Sequence, residues 1–414
     1  MIHGEPLVSS PVGVRVVEPQ EEVRPKAPSS DRRPALDWVR VLAVLLLVPV
    51  HCANIFNQDP VIVAYVKDTD ELDVLIQAKD LFFSRWRLET LFLVAGAVSW
   101  YALARRSNRQ YVSERAKRLM LPFFFSLVVI FPLMVNARWL GSPQALPLDA
   151  MYARFFLEPP TDLTGMDGHF TPSHLWFVLF LFLFSLVGVP LLRLLRRPAA
   201  QRAVNSLLAW PLAIYLFVVP LTLGRQANFF GLGDKDPLYF FLIFAFGYAV
   251  SSQPRFWSTV DRYLALSVAI AVTATVISVL FFPRHPAPGT IDEQAVLWLF
   301  RISQWTWVLA ALGAGHRWLN RDSAILRYAS QAVYPFYILH LPMATLIAFF
   351  VVQTSLHPAL KYTIIVVLAV GVTLAVYEFA VRRLNVLRLC FGLKPIESVA
   401  PIDPVAPPVA AATQ

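Results

Sequence analysis

The chain has 414 residues, 57% of them hydrophobic and 15% charged, with a mean hydropathy of +0.56. That balance excludes an ordinary water-soluble domain and predicts an all-α, polytopic integral membrane helical bundle. The formal charge of +9 is basic, and the two cysteines, Cys52 and Cys390, offer neither a disulfide framework nor a cysteine metal site.

Residues 1–35 are polar and proline-rich, and are expected to form a disordered cytoplasmic tail rather than a cleavable signal. Apolar runs then recur at 38–56, 88–104, 119–135, 175–192, 204–223, 238–250, 263–282, 295–314, 332–352 and 362–381. Most are long enough for a hydrocarbon layer roughly 30 Å thick, the sixth being the shortest. They predict a transmembrane domain over 36–395 with about ten helices, followed by a disordered cytoplasmic tail at 396–414. No short repeat or separate soluble domain is present, and the long outer loops are 57–85 and 136–173.

Alternate connecting segments at 105–118, 193–202, 251–262, 315–330 and 382–394 together hold 19 Lys and Arg, far more than the other set. Because basic residues accumulate on the cytoplasmic side, both termini are predicted to be cytoplasmic. The basic charge is then a membrane-orientation signal, and nucleic acid is not expected as a partner.

Ionisable groups inside apolar helices are costly and mark cavities, partners or substrate paths. In "LDWVRVLAVLLLVPVHCANIF", 36–56, Arg40 and His51 are eleven residues apart, about 16 Å along a helix and nearly on one face. Asp37 and Asn54 extend that stripe by a turn at each end, and Pro49 predicts a kink beside His51. In "YVSERAKRLMLPFFF", Arg115 and Arg118 are spaced to share a helical face and suit phosphate, although a cytoplasmic loop is expected to be basic anyway.

His340 follows Tyr334 and Tyr337 at three-residue steps and lies at a depth matching His51, either as a packing residue or as part of a site. Arg301 is deep in its run and requires a partner or a polar cavity. Glu89 lies near Arg85 and Arg87, where a local salt bridge is the simpler account. His174 and Trp176 open the fourth run, where a tryptophan also suits the membrane interface. Glu378 and Arg382 read as a helix-end pair, and the acidic run "KDTDELD" as a solvated loop. No metal-ligand spacing or nucleotide loop is present in the sequence.

These blocks are similar, in order, to the membrane-bound acyltransferase 3 family. "LDWVRVLAVLLLVPVH" resembles its Arg-ten residues-His start, and "RWRLETLFLVAGAVS", "YVSERAKRLMLPF", "SHLWFVLFLF" and "VYPFYILHLP" resemble its later blocks. The ending "AVYEFAVRRLNVLRLCFGLKP" looks closest to the branch that succinylates periplasmic glucans.

The resemblance implies transfer of an acetyl- or succinyl-type group from cytoplasmic acyl-CoA, as co-substrate rather than bound cofactor, to a hydroxyl of an extracytoplasmic glycan. It implies a multi-pass protein of a bacterial inner membrane. The family's motif histidine falls on His51 and its motif arginine on Arg40, which implies that these two carry catalysis. Its Arg-x-x-Arg element falls on Arg115 and Arg118, placing the donor's phosphates there beside Arg40.

Glu89, His174, Trp176, Arg301 and His340 are then candidates for the cavity or acceptor side, Arg301 as an oxyanion-stabilising residue. His51 suits either general-base or nucleophilic chemistry. A transporter or flippase for an envelope glycan or lipid precursor is the alternative, since buried His and Arg also build transport paths. A metal-dependent glycosyltransferase using the acidic run is a more remote one. Neither the acyl group, the acceptor nor the oligomeric state is encoded in a recognisable motif.

Overall fold

The structure, a computed structural model, describes residues 1, 33–59, 62–160, 163–227, 235–282 and 287–396. The two expected tails lie almost wholly outside the described residues. Among the described residues the chain is helical and contains no β-strand.

A helix lies on each of the ten apolar runs. They are α1 (Pro34–Ile55), α2 (Ser84–Ala104), α3 (Asn108–Trp139), α4 (Ser173–Val187 with Val189–Leu195), α5 (Ala213–Gln226), α6 (Pro237–Val250), α7 (Leu264–Phe281), α8 (Ile291–Trp318), α9 (Ala324–Val351) and α10 (Pro358–Val381). Six of them, α1, α3, α7, α8, α9 and α10, are long and apolar enough to cross a membrane, and α4 adds a seventh if its pieces, bent by 65°, form one span. α2 carries Arg85, Arg87 and Glu89 near its start, and α6, with 14 residues, reaches only about 21 Å.

Prolines cause most of the departures from regular helix. The fifth run is not one helix from 204. Pro198–Leu207 forms a separate helix, residues 208–212 are non-helical, and α5 starts at Ala213. Pro211 supplies the reason, since it lacks an N–H and pushes the preceding residue out of the α region.

In α1 the interruption falls at Leu46, not beside His51. Pro49 cannot donate to the carbonyl four residues back, and its ring crowds that carbonyl, so the defect appears one turn earlier. α3 contains two π turns, Ala116–Met120 and Ser126–Ile130, each just ahead of a proline, Pro122 and Pro132.

The first π turn changes the expected geometry of the arginine pair. Arg115 precedes the turn and Arg118 lies inside it, so they do not share a regular α-helical face. Arg115 points into the bundle, donating to Ser99 Oγ at 2.9 Å, while Arg118 is exposed.

The bundle is drawn tight where α2 crosses α6. A Cβ on Gly96 would lie 1.9 Å from the Phe244 carbonyl oxygen, and one on Gly247 would lie 2.1 Å from that of Leu93. Only glycine permits that backbone approach, the packing mode that small residues give to membrane helices. It seats α2, with Arg87 and Glu89 on it, against the aromatic layer of Phe92, Phe240 and Trp176, whose ring centroids lie 4.6 and 5.3 Å apart about Phe240.

Candidate functional site

A cavity of about 640 Å³ opens between α1, α2, α4 and α9 and is roofed by residues 63–66 and 163–173. Its wall is mostly apolar. The polar groups facing it include His51, Asn54, Arg87, Ser173, His174, Lys235 and Tyr337, and no Asp or Glu is among the described residues that line it.

Three histidines meet at this wall. The His340 ring lies 5.3 Å from that of His51 and 5.1 Å from that of His174, centroid to centroid. Backbone carbonyls fix two of the tautomers. His174 Nε2 lies 3.1 Å and 3.2 Å from the Tyr337 and Ile338 oxygens and therefore donates, leaving Nδ1 as an acceptor 3.5 Å from Ser173 Oγ.

Pro342 explains the availability of one of those carbonyls, because it has no N–H to give to Ile338. His340 Nδ1 donates to Tyr337 O at 2.6 Å, so its Nε2 is an acceptor, and that atom is buried without a partner among the described residues. The Tyr337 hydroxyl closes the cluster by donating to the His174 carbonyl.

The roof is fastened at Ser173, which takes a φ of +45°, the one positive φ outside glycine among the described residues. The Tyr65 hydroxyl lies 3.0 Å from both Ser173 Oγ and the Thr164 carbonyl, joining the two roof segments. The acidic run is not simply a solvated loop. Asp68 is buried and pairs with Lys361 at 2.9 Å, tying this roof to the start of α10.

A basic cluster lies near the opposite end of α3. Arg118 is close enough to Arg115, Arg40 and Arg106 for their charges to bear on it. Asp37 pairs with Arg40 at 2.9 Å and Glu114 with Arg106 at 2.6 Å. A cleft of about 370 Å³ lined by Tyr101, Arg105, Arg106 and Gln110 adjoins this end.

Glu89 and Arg301 do not line the cavity. Glu89 accepts from Gln304 Nε2 and, at 3.3 Å, from the Tyr239 hydroxyl, and Arg301 donates to Gln304 Oε1 and stacks 4.7 Å over Tyr239. The partners of Glu89 therefore come from α6 and α8, not from a local pair with Arg85 and Arg87. The Glu378 and Arg382 pair forms at 2.8 Å. Cys52 and Cys390 are free, and no metal-binding group of His, Cys, Asp or Glu occurs among the described residues.

The structure thus gathers His51, His174 and Trp176 around one cavity, sets His340 behind them, and assigns Arg301 and Glu89 elsewhere. Sequence reading passed over Arg87, Ser173 and Lys235. Arg87 was legible only as one of a basic pair at a helix start, and the placement of Ser173 depends on the roof.

A helical bundle with six helices apolar enough to cross a membrane, and with three histidines and an arginine gathered at one internal cavity, defines a membrane protein built for chemistry or transport in its interior. The chain belongs to the acyltransferase 3 family, described as an acyltransferase domain, which it matches over residues 33–378. Among its relatives is the glucans biosynthesis protein C of Escherichia coli strain SMS-3-5, 21% identical over 388 residues, covering 87% of this chain and 94% of the relative. The protein of the same name from strain K12 is 20% identical over the same shares. No solved structure matches the chain.

Proposed function

We propose that this membrane acyltransferase moves an acetyl- or succinyl-type group from cytoplasmic acyl-CoA to a hydroxyl of an extracytoplasmic glycan. The observation that carries this reading is the arrangement on α1, where Arg40 joins the basic cluster and His51 opens into the roofed cavity. The diphosphate and phosphate of CoA suit guanidinium groups, which bind such oxygens through charge-assisted hydrogen bonds. The donor docks against Arg40, Arg115 and Arg118 and extends its thioester toward His51.

The glycan enters on the roofed side. His51 takes the proton of the attacking hydroxyl, the carbonyl carbon forms its new C–O bond, and the C–S bond breaks. The proton then passes from His51 to the departing thiolate, giving ester and free CoA. This reading includes all ten helices as spans of the bacterial inner membrane, with both termini cytoplasmic, as the basic segments predict. The relatives named for glucan biosynthesis support a glucan-like acceptor.

Mass spectrometry of envelope glycans from wild-type, deletion and His51→Ala strains tests the proposal. The acyl mass increment is expected only in the wild type, with the variant protein still inserted. Normal acylation by His51→Ala removes the catalytic assignment. Glycan or lipid movement by the purified protein in vesicles lacking acyl-CoA, with no acyl transfer when it is supplied, replaces the enzyme by a transporter.

A further inference from the structure

Arg87 is a buried cation at the cavity that makes no ion pair among the described residues, although the charge of Glu89 bears on it. It is 8% exposed and lines the cavity wall, yet among the described residues it makes one long hydrogen bond, Nη1 to the Leu46 carbonyl at 3.4 Å. Its Nε is buried and has no partner among the described residues. The nearby carboxylate, Glu89, is two residues further along α2, about 200° around the helix, and is engaged by Gln304 and Tyr239.

The other cations at this level have occupations of their own. Lys79 donates to Asn54 Oδ1 at 3.0 Å, and Lys235 lies 5.6 Å over the Trp176 ring. A guanidinium buried in a bundle interior is costly and is retained where an anion meets it. Arg87 is also near enough to His51 and His340 for its charge to bear on both rings.

We infer that Arg87 is the oxyanion-stabilising catalytic residue of acyl transfer, meeting the negative oxygen that forms when the acceptor hydroxyl attacks the thioester. This rests on the acyl-transfer reading above. As the hydroxyl oxygen bonds to the carbonyl carbon, the C=O electron pair moves onto oxygen beside Arg87 while the proton moves to His51. Collapse restores C=O, expels the thiolate and returns the proton to sulfur. The oxyanion exists only in the transition region, so Arg87 acts on turnover more than on binding. Its contact with Leu46, at the interruption in α1, ties it to the helix that carries His51.

The test is steady-state transfer by purified protein in detergent or nanodiscs, with acetyl-CoA and succinyl-CoA as separate donors, for wild type, Arg87→Gln, Arg87→Lys and His51→Ala. Arg87→Gln can still donate to Leu46 but has lost the charge. Its kcat is expected to fall about 100-fold or more with both donors, while donor KM stays within about threefold. Arg87→Lys, which restores charge, is expected to recover at least about tenfold of that loss, with all variants melting near the wild type.

A loss confined to succinyl-CoA would overturn the assignment, making Arg87 a binder of the acyl carboxylate. So would a raised KM with unchanged kcat, or a loss that tracks a lowered melting temperature and is not recovered by lysine. An inactive His51→Ala beside an unaffected Arg87→Gln removes this inference alone. No transfer by the wild type, or full transfer by His51→Ala, removes the acyl-transfer reading and this inference with it.

Discussion

Two groups of buried polar side chains sit within the bundle and are solved in opposite ways. Around Glu89, the donors and acceptors of Tyr239, Arg301 and Gln304 are spent largely on one another across α2, α6 and α8, with Glu89 Oε2 and Arg301 Nε left over among packed side chains. Around His51, the Nε2 of His340 and the Nε of Arg87 are likewise without partners among the described residues, but here the neighbouring space is a cavity rather than packed side chains. The cost of removing polar groups from water is offset internally in the first group. In the second a cavity leaves room for a ligand to offset it, and that difference is what the proposed site rests on.

His51→Ala is expected to abolish acyl transfer with little change in melting temperature or membrane abundance, measured by donor-dependent thiol release and a thermal melt in detergent. Arg301→Met should do the reverse. By taking a donor from Gln304 Oε1 and the positive charge that bears on Glu89, it should cost about 1–3 kcal/mol, seen as a lowered melt, with specific activity of the surviving folded protein retained. An Arg301→Met protein that melts normally but fails to turn over would merge the two groups and break the distinction.

Joint replacement of Arg115 and Arg118 by Gln should raise the acyl-CoA concentration needed for half-maximal transfer by about tenfold, the scale of a lost charge-assisted hydrogen bond. An unchanged donor dependence would detach the basic end from the site.

The smallest effect is expected in the roof. His169 there lies 2.8 Å from Asp167 and 3.0 Å from Glu158, and these carboxylates raise its pKa above the ordinary imidazole value. A raised folded value means the contribution is fully present below about pH 6.5 and is lost as pH rises through the raised value. Protease nicking of residues 158–173 should therefore increase modestly across that rise in wild type and not in His169→Gln. A flat wild-type profile would show that the roof is held by Asp68, Tyr65 and Thr171 alone.

The helical class was legible because long apolar runs leave few other solutions, and His51 and Arg40 stood out because ionisable residues are rare in such runs. Arg301 was equally conspicuous, but Gln304 is its one local partner, and Tyr239, with Glu89 beyond Gln304, is distant in sequence, so nothing local tells whether it faces a cavity or a neighbour. Arg87 was hidden by the opposite problem, since a basic residue beside Arg85 and Glu89 reads as a helix end. The interruption at Leu46 was misplaced by a turn because proline acts on the carbonyl behind it.

The π turn at Ala116–Met120 carries one further consequence. Such a turn is a helix holding one more residue than its neighbours have room for. Deleting a single residue there, at Lys117, should let α3 relax into even winding while the helix on either side, Arg115 and Pro122 included, keeps its orientation. The spacing of the two arginines would then read as a shorter motif in an alignment, with the wide turn between them gone. In this protein a gap of one residue at that point would mark a missing bulge, not a shifted helix.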